Sequence, residues 1–84
     1  MDANSTDSGI LAHIHDLVAE EKVLRDSHRG RGLEADQRRR LEAIEHQLDQ
    51  AWDLLRQRRA REELGEDPDD ARERSVNEVE GYLQ

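Results

Sequence analysis

The chain has 84 residues, of which only 33% are hydrophobic and 40% are charged. A chain of this size forms at most one small domain, and its composition favours long solvated helices over a large buried core. The absence of cysteine excludes disulfide bonds, thiolate metal sites and cysteine nucleophiles.

The net charge of -8 is distributed unevenly along the chain. Residues 1–24 carry a net charge of -4, residues 25–61 carry +3 and residues 62–84 carry -7. An acidic chain repels nucleic acid at long range, so a role in RNA or DNA binding would depend on the middle segment alone. No stretch has the length and hydrophobicity of a signal peptide or a membrane span, and we therefore expect a cytoplasmic protein without a membrane partner.

The N-terminal part of the chain predicts a short tail followed by one helix. Residues 1–8 are small and polar, which predicts a disordered tail that ends in a capping residue, Asp7 or Ser8. A helix is predicted from Gly9 to Ser27. Its apolar residues form one stripe, at Ile10, Ile14, Leu17 and Leu24. Two glycines in residues 30–32 end this helix and predict a short turn.

A second helix is predicted from Leu33 or Glu34 to the stop at Gly65. Its apolar residues are alternately three and four positions apart, at Leu41, Ile44, Leu48, Ala51 and Leu55. If the chain turns around residues 30 and 31, the numbers of two facing residues sum to about 61. With this register, the apolar residues of the two helices face each other, as in the pair Ile10 and Ala51. Residues 9–65 are therefore predicted to form an antiparallel helical hairpin in an all-α fold.

The second helix is predicted to be longer than the first. The first helix would therefore stop covering the second near Trp52. Leu54, Leu55 and Leu64 then need another cover. The C-terminal segment, residues 66–84, is an acidic linker followed by a short helix with capping-box spacing at Ser75 and Glu78, and this segment could fold back over them. The alternative cover is a second copy of the chain, which predicts a homodimer with a four-helix bundle.

Three stretches of this sequence resemble an actinobacterial family known as domain of unknown function 2630. They are the run from Trp52 to Arg61, the run from Gly65 to Asp69 and the ending from Val79 to Gln84. The segment from Ile10 to Ile14 also fits, so the resemblance covers residues 9–84 and departs mainly in the loop at residues 32–35. It implies a small helical bacterial protein of the cytoplasm and no mechanism.

A candidate interaction surface lies where the second helix outruns the hairpin and at the C-terminus. Its residues are Trp52, Leu55, Arg56, Arg58, Arg59, Arg61, Tyr82 and Leu83. Aromatic residues and arginine are enriched at protein interfaces. Arginine also binds phosphate groups, so a phosphate-ligand or nucleic-acid binder that uses the arginine cluster 56–61 is an alternative. The acidic residues that follow favour ion pairs instead, within the chain or between subunits, and Arg58 with Glu62 and Arg59 with Glu63 have the spacing of such pairs.

The histidines suggest a further alternative, a divalent-metal site at His15 and His46, which face each other in the predicted hairpin. Glu42, Glu45 and Asp49 lie near His46 on the same helix. Both histidines lie off the apolar stripe, where exposed histidines are common, and we predict no metal and no cofactor. No nucleophile–base pair and no glycine-rich phosphate loop is recognisable. The sequence therefore predicts a non-enzymatic protein-interaction or assembly module that associates with itself or with another protein and has no catalytic residue.

Overall fold

The structure is a computed structural model that describes residues 6–27 and 34–83, without the side chains of residues 27, 82 and 83. These ranges contain helix α1 (Asp7–Ser27), helix α2 (Ala35–Glu63), a short 3₁₀ turn (Pro68–Asp70) and helix α3 (Val76–Leu83), and they contain no strand. The predicted all-α fold is confirmed. Within the described ranges, no helix is long and apolar enough to cross a membrane.

Helix α1 begins two residues earlier than the sequence predicts. The hydroxyl of Thr6 accepts a hydrogen bond from the backbone N–H of Gly9 at 3.0 Å, so Thr6 is the capping residue instead of Asp7 or Ser8. The sequence did not distinguish these residues because all of them are good helix caps. The predicted disordered tail is therefore helical from Asp7 onward, and residues 1–5 lie outside the described residues.

Helix α2 has clear signals at both ends. At its start, the Gln37 side chain accepts a hydrogen bond from the backbone N–H of Glu34 at 2.9 Å, and the helix begins at the next residue. At its end, Gly65 has a φ of 74°, a conformation that favours glycine, which confirms the predicted stop. The predicted turn at residues 30 and 31 and the alternative start at Leu33 lie outside the described residues.

The two long helices pack against each other in an antiparallel hairpin, as predicted. Their apolar stripes meet in one cluster formed by Ile10 and Ile14 of α1 and Ala51 and Leu55 of α2. Leu48 and Leu54 are partly buried against this cluster. The hydrophobic effect of burying these aliphatic side chains holds the hairpin together.

Helix α1 covers more of α2 than the sequence predicts. Asp7 lies at the N-terminus of α1 and its Oδ1 is 2.6 Å from Nε of Arg58, so the prediction that α1 stops covering its partner near Trp52 is wrong. Leu55 is only 1% exposed in consequence. Leu64 lies beyond the end of α2 and is 75% exposed, so it is not covered.

The segment from residue 66 to residue 83, called the tail below, folds back onto α2. The backbone N–H of Glu78 donates to the Ser75 hydroxyl at 3.2 Å, which confirms the predicted cap of α3. Val79 of α3 is only 2% exposed. Of the two predicted covers, folding back of the C-terminal segment is therefore found within one chain. Pairing with a second copy stays a prediction.

Candidate interaction surface

Helix α2 is the scaffold against which the other segments pack, and three rows of its residues have different surroundings. The row that faces α1 consists of Leu41, Ile44, Leu48, Ala51 and Leu55. The row that faces the tail consists of His46, Gln50, Asp53 and Gln57. A third row consists of Glu45, Trp52 and Arg59, which are seven residues apart and are all exposed. Residues seven apart lie on the same side of a helix because they are about two turns apart.

Side-chain amides on α2 hold the non-helical part of the tail. Nε2 of Gln57 donates to the backbone carbonyl oxygen of Arg72 at 2.7 Å, and Nε2 of Gln50 donates to the backbone carbonyl oxygen of Arg74 at 3.1 Å. Gln57 also donates to Asp53 at 2.9 Å, and Asp53 is only 4% exposed. The tail carbonyls have no helical partner at these positions, and the amides satisfy them.

Arg58 joins α1, α2 and the tail. Its side chain is only 8% exposed, and its Nη1 donates to Oδ1 of Asp69 at 2.9 Å while its Nε donates to Oδ1 of Asp7 at 2.6 Å. Nη1 also donates to the carbonyl oxygen of Pro68 at 3.2 Å. The hydrogen bonds that Arg58 donates to Asp7 and Asp69 raise its pKa. This arginine therefore serves the fold and is not available to an outside ligand.

The residues of the predicted interaction surface consequently divide into two groups. Leu55 is buried against α1, and Arg58 is buried between α1 and the tail, so their assignment to an exposed surface is corrected. Nη1 of Arg61 lies 3.6 Å from Oε2 of Glu66. The exposed members on α2 are Trp52, Arg56 and Arg59. The side chains of Tyr82 and Leu83 lie outside the described residues.

An exposed apolar strip lies beside Trp52. Leu11 and Val18 of α1 are 41% and 46% exposed, and Trp52 is 41% exposed. Arg25 continues the seven-residue spacing of Leu11 and Val18, and its Nη2 lies 3.0 Å from Oε1 of Glu45. This ion pair shows that the α1 row lies next to the third row of α2. We call the combined surface the Trp52 face, and it consists of Leu11, Val18, Arg25, Glu45, Trp52 and Arg59.

On the side of α2 that faces the tail, His46 lies in a group of titratable side chains. Nδ1 of His46 is 3.1 Å from Oε1 of Glu80, and Nε2 of His46 is 3.7 Å from Oε1 of Glu42. One ligand atom from each of His46, Asp49 and Glu80 lies within 4.8 Å of the others. His15 is exposed on α1 and is not part of this group. The predicted pair of His15 and His46 is therefore wrong, because His46 belongs to the row that faces the tail.

These neighbours change the titration of the group. The hydrogen bond to Glu80 is the largest influence on His46 and raises its pKa, and Glu42 acts in the same direction. Burial is the largest influence that raises the pKa of Asp49, and the hydrogen bond to Glu80 raises it further. Two adjacent carboxyl groups repel each other when both are ionised, so a proton or a cation between them is favourable.

A small pocket lies between α1, α2 and the tail. Its volume is about 80 Å³, and Ile10, His13, Gln50, Leu54 and Glu73 are among the residues that line it. Pockets for small-molecule substrates and cofactors typically have volumes of about 300–1,000 Å³. This pocket can hold one or a few water molecules, whereas the larger cavities along α2, of about 260–510 Å³, are open grooves on its exposed surface.

Comparison with known proteins identifies the family of this chain. The sequence model of a family described as protein of unknown function (DUF2630) matches residues 6–84. The chain belongs to this family. It is also similar to uncharacterized proteins of Mycobacterium bovis and of two strains of Mycobacterium tuberculosis, with 55% identity over 78 residues in each case. Each alignment covers 92% of this chain and 90% of the relative. No solved structure matches.

In this DUF2630 chain, the apolar spacing of α2 contains a signal for the buried position of Arg58. Arg58 follows Leu55 by three positions and so continues the alternating spacing of the buried row. An arginine at the next position of that row predicts a buried charge with acidic partners. The sequence contained no comparable signal for Glu80, because its approach to His46 depends on how the tail folds back.

Proposed function

We propose that this protein is a non-enzymatic assembly module that pairs with a second copy of itself through the Trp52 face. The proposal rests on one observation: α2 has two covered sides, and its third side carries an exposed tryptophan between an acid and an arginine. The role requires no catalytic residue.

The apolar content of the Trp52 face supports an interface. Single exposed hydrophobic residues are normal on soluble proteins, but a contiguous group indicates an interaction site. Leu11, Val18 and Trp52 are each more than 40% exposed and lie on adjacent rows of two packed helices. Tryptophan and arginine are the residues that contribute most often to the energy of protein interfaces.

The charges of the face support a second copy as the partner. Glu45 precedes Trp52 by seven residues, and Arg59 follows it by seven. If two copies of α2 cross in antiparallel orientation with Trp52 on a two-fold axis, Glu45 of each copy lies opposite Arg59 of the other. A two-fold interface requires this kind of self-complementary surface. The pairing would also enclose Trp52 between the two copies.

The arginine cluster gives weaker support to the alternative of a phosphate or nucleic-acid binder. Arg58 is engaged by Asp7 and Asp69, and Arg61 lies close to Glu66. Only Arg56 and Arg59 of the cluster are exposed. Two exposed arginines on a chain with a net charge of -8 make a small positive surface.

The mass of the protein in solution tests the proposal. We expect sedimentation equilibrium to give twice the chain mass of 9.8 kDa for the wild type and a single chain mass for Trp52→Glu, because the substitution places a charge in an apolar contact. Leu64→Glu is the matched control, since Leu64 is also exposed but lies outside the Trp52 face. It should remain dimeric.

A folded wild-type protein with a single chain mass would overturn self-association. Loss of pairing in Leu64→Glu as well as in Trp52→Glu would overturn the assignment to this face. If the wild type is a monomer and binds a single-stranded RNA at low salt, with affinity lost in an Arg56→Gln, Arg59→Gln variant, the alternative function is favoured instead.

A further inference from the structure

The group formed by His46, Asp49 and Glu80 has the composition of a metal-ligand set. His46 and Asp49 are three residues apart on α2, so their side chains lie one turn apart on one side of the helix. Folding back of the tail brings Glu80 of α3 to this side, with Oε1 at 3.1 Å from Nδ1 of His46. One imidazole nitrogen and two carboxylate oxygens suit zinc and related divalent ions.

The distances between these atoms can be compared with those between the ligands of a bound zinc ion. The three potential ligand atoms lie within 4.8 Å of one another. Zinc binds nitrogen and oxygen ligands at about 2.0–2.2 Å, so neighbouring ligands in a tetrahedral site are roughly 3.3 Å apart. To coordinate one ion, the ligand atoms would have to approach one another by up to about 1.5 Å. All three residues are partly exposed, so water can supply further ligands.

Glu42 is the neighbour of the other ring nitrogen of His46. It lies on the other side of the His46 ring, with Oε1 at 3.7 Å from Nε2, while Nδ1 faces Glu80. Histidine ligands of metal ions commonly donate the N–H of their other ring nitrogen to a carboxylate, which orients the ring. Here, Nδ1 is placed to bind an ion, and Nε2 is placed to donate towards Glu42.

We propose that His46, Asp49 and Glu80 bind one divalent cation of the zinc type, which joins α2 to α3. The cation binds only when the tail is folded back, because Glu80 reaches the other two ligands only in that state. Binding of the ion and docking of the tail therefore stabilise each other. This site is separate from the Trp52 face, and the proposal does not depend on self-association.

Zinc titration of the metal-free protein tests this site. Isothermal titration calorimetry should give one Zn²⁺ per chain for the wild type and an affinity at least tenfold weaker for Glu80→Gln and for His46→Gln. Two control variants should bind as the wild type does. They are His15→Gln, which removes another exposed histidine, and Glu62→Gln, which changes an exposed acid on the same helix as His46.

Thermal unfolding gives a second readout. At a free Zn²⁺ concentration about 100 times the dissociation constant, the melting temperature of the wild type should rise by roughly 10–20 °C. Mg²⁺ should give a much smaller shift, because it prefers oxygen ligands alone. Glu80→Gln should fold but gain little from Zn²⁺.

Two results would overturn the proposal. One is the absence of Zn²⁺ binding to folded wild-type protein at millimolar concentration. The other is binding that persists unchanged in both Glu80→Gln and His46→Gln, since the ion would then bind to other surface histidines. Circular dichroism of each variant establishes that it is folded before binding is compared.

Discussion

At the scale of single residues, neighbouring arginines of α2 have very different roles. The Arg58 side chain is 8% exposed and contacts Asp7 and Asp69, whereas Arg59 is exposed on the Trp52 face. The sequence predicts that the acids after residue 61 pair with the arginine cluster, and two of its four arginines do so, Arg58 with Asp69 and Arg61 with Glu66. It does not identify Asp7 as a partner, because that contact depends on how far α1 extends along α2.

Substitution of Arg58 tests this difference. We expect Arg58→Ala to lower the free energy of unfolding by about 2–3 kcal/mol, since it removes charge-assisted hydrogen bonds that join three segments. Asp7 and Asp69 remain partly exposed to water, which keeps the cost below that of a fully buried broken ion pair. Arg59→Ala is the control and should change stability by no more than about 0.5 kcal/mol. Urea denaturation followed by circular dichroism measures both, and equal losses in the two variants would contradict the assigned roles.

At the scale of elements, the sequence predicts the helices better than their mutual coverage. The alternating apolar spacing and the stop at Gly65 correctly predict α2, and the capping residues Ser75 and Glu78 correctly predict the start of α3. The sequence does not decide whether the tail or a second copy covers Leu55, and in the structure α1 covers it. Propensity and spacing describe one helix at a time, whereas docking of the tail depends on contacts such as Gln57 with the Arg72 carbonyl, which no periodic pattern encodes.

Two glycines, Gly65 just before the tail and Gly81 within α3, give predictions of opposite sign. Gly65 has a φ of 74°, so Gly65→Ala should destabilise the protein by about 1 kcal/mol through backbone strain. Gly81 lies inside α3 with no atom within 4 Å of an added Cβ, so Gly81→Ala should stabilise the protein by about 0.5–1 kcal/mol. Melting temperatures of the two variants, compared with that of the wild type, measure both effects. Shifts of the same sign would contradict this account of the tail.

At the scale of the whole molecule, the chain is elongated and its core is small. Its dimensions are 50 × 26 × 19 Å, and its radius of gyration of 15.0 Å exceeds the value of about 12 Å expected for a compact domain of this length. An elongated small domain leaves much of its apolar surface exposed, and self-association is a common way to gain further burial. The Trp52 face is the surface that we propose for this purpose.

The charge pattern around Trp52 makes the proposed pairing specific enough to test by charge reversal. Because Arg25 also contacts Glu45 within the chain, all variants carry Arg25→Gln, and this single substitution serves as the reference. In the two-fold pair, Glu45→Arg alone places a positive charge opposite Arg59 of the other copy. Arg59→Glu alone places a negative charge opposite Glu45 of the other copy. Each substitution does so at two positions because of the symmetry. Each should raise the dissociation constant of the dimer by about tenfold or more.

The decisive measurement is the dimer dissociation constant of the double variant, Glu45→Arg with Arg59→Glu, determined by sedimentation equilibrium. The double variant restores opposite charges across the proposed two-fold axis, and we expect its dissociation constant to return to near that of the reference. A folded double variant whose dimer dissociation constant is as high as those of the single variants would contradict the proposed pairing. So would single variants that dimerise as tightly as the reference.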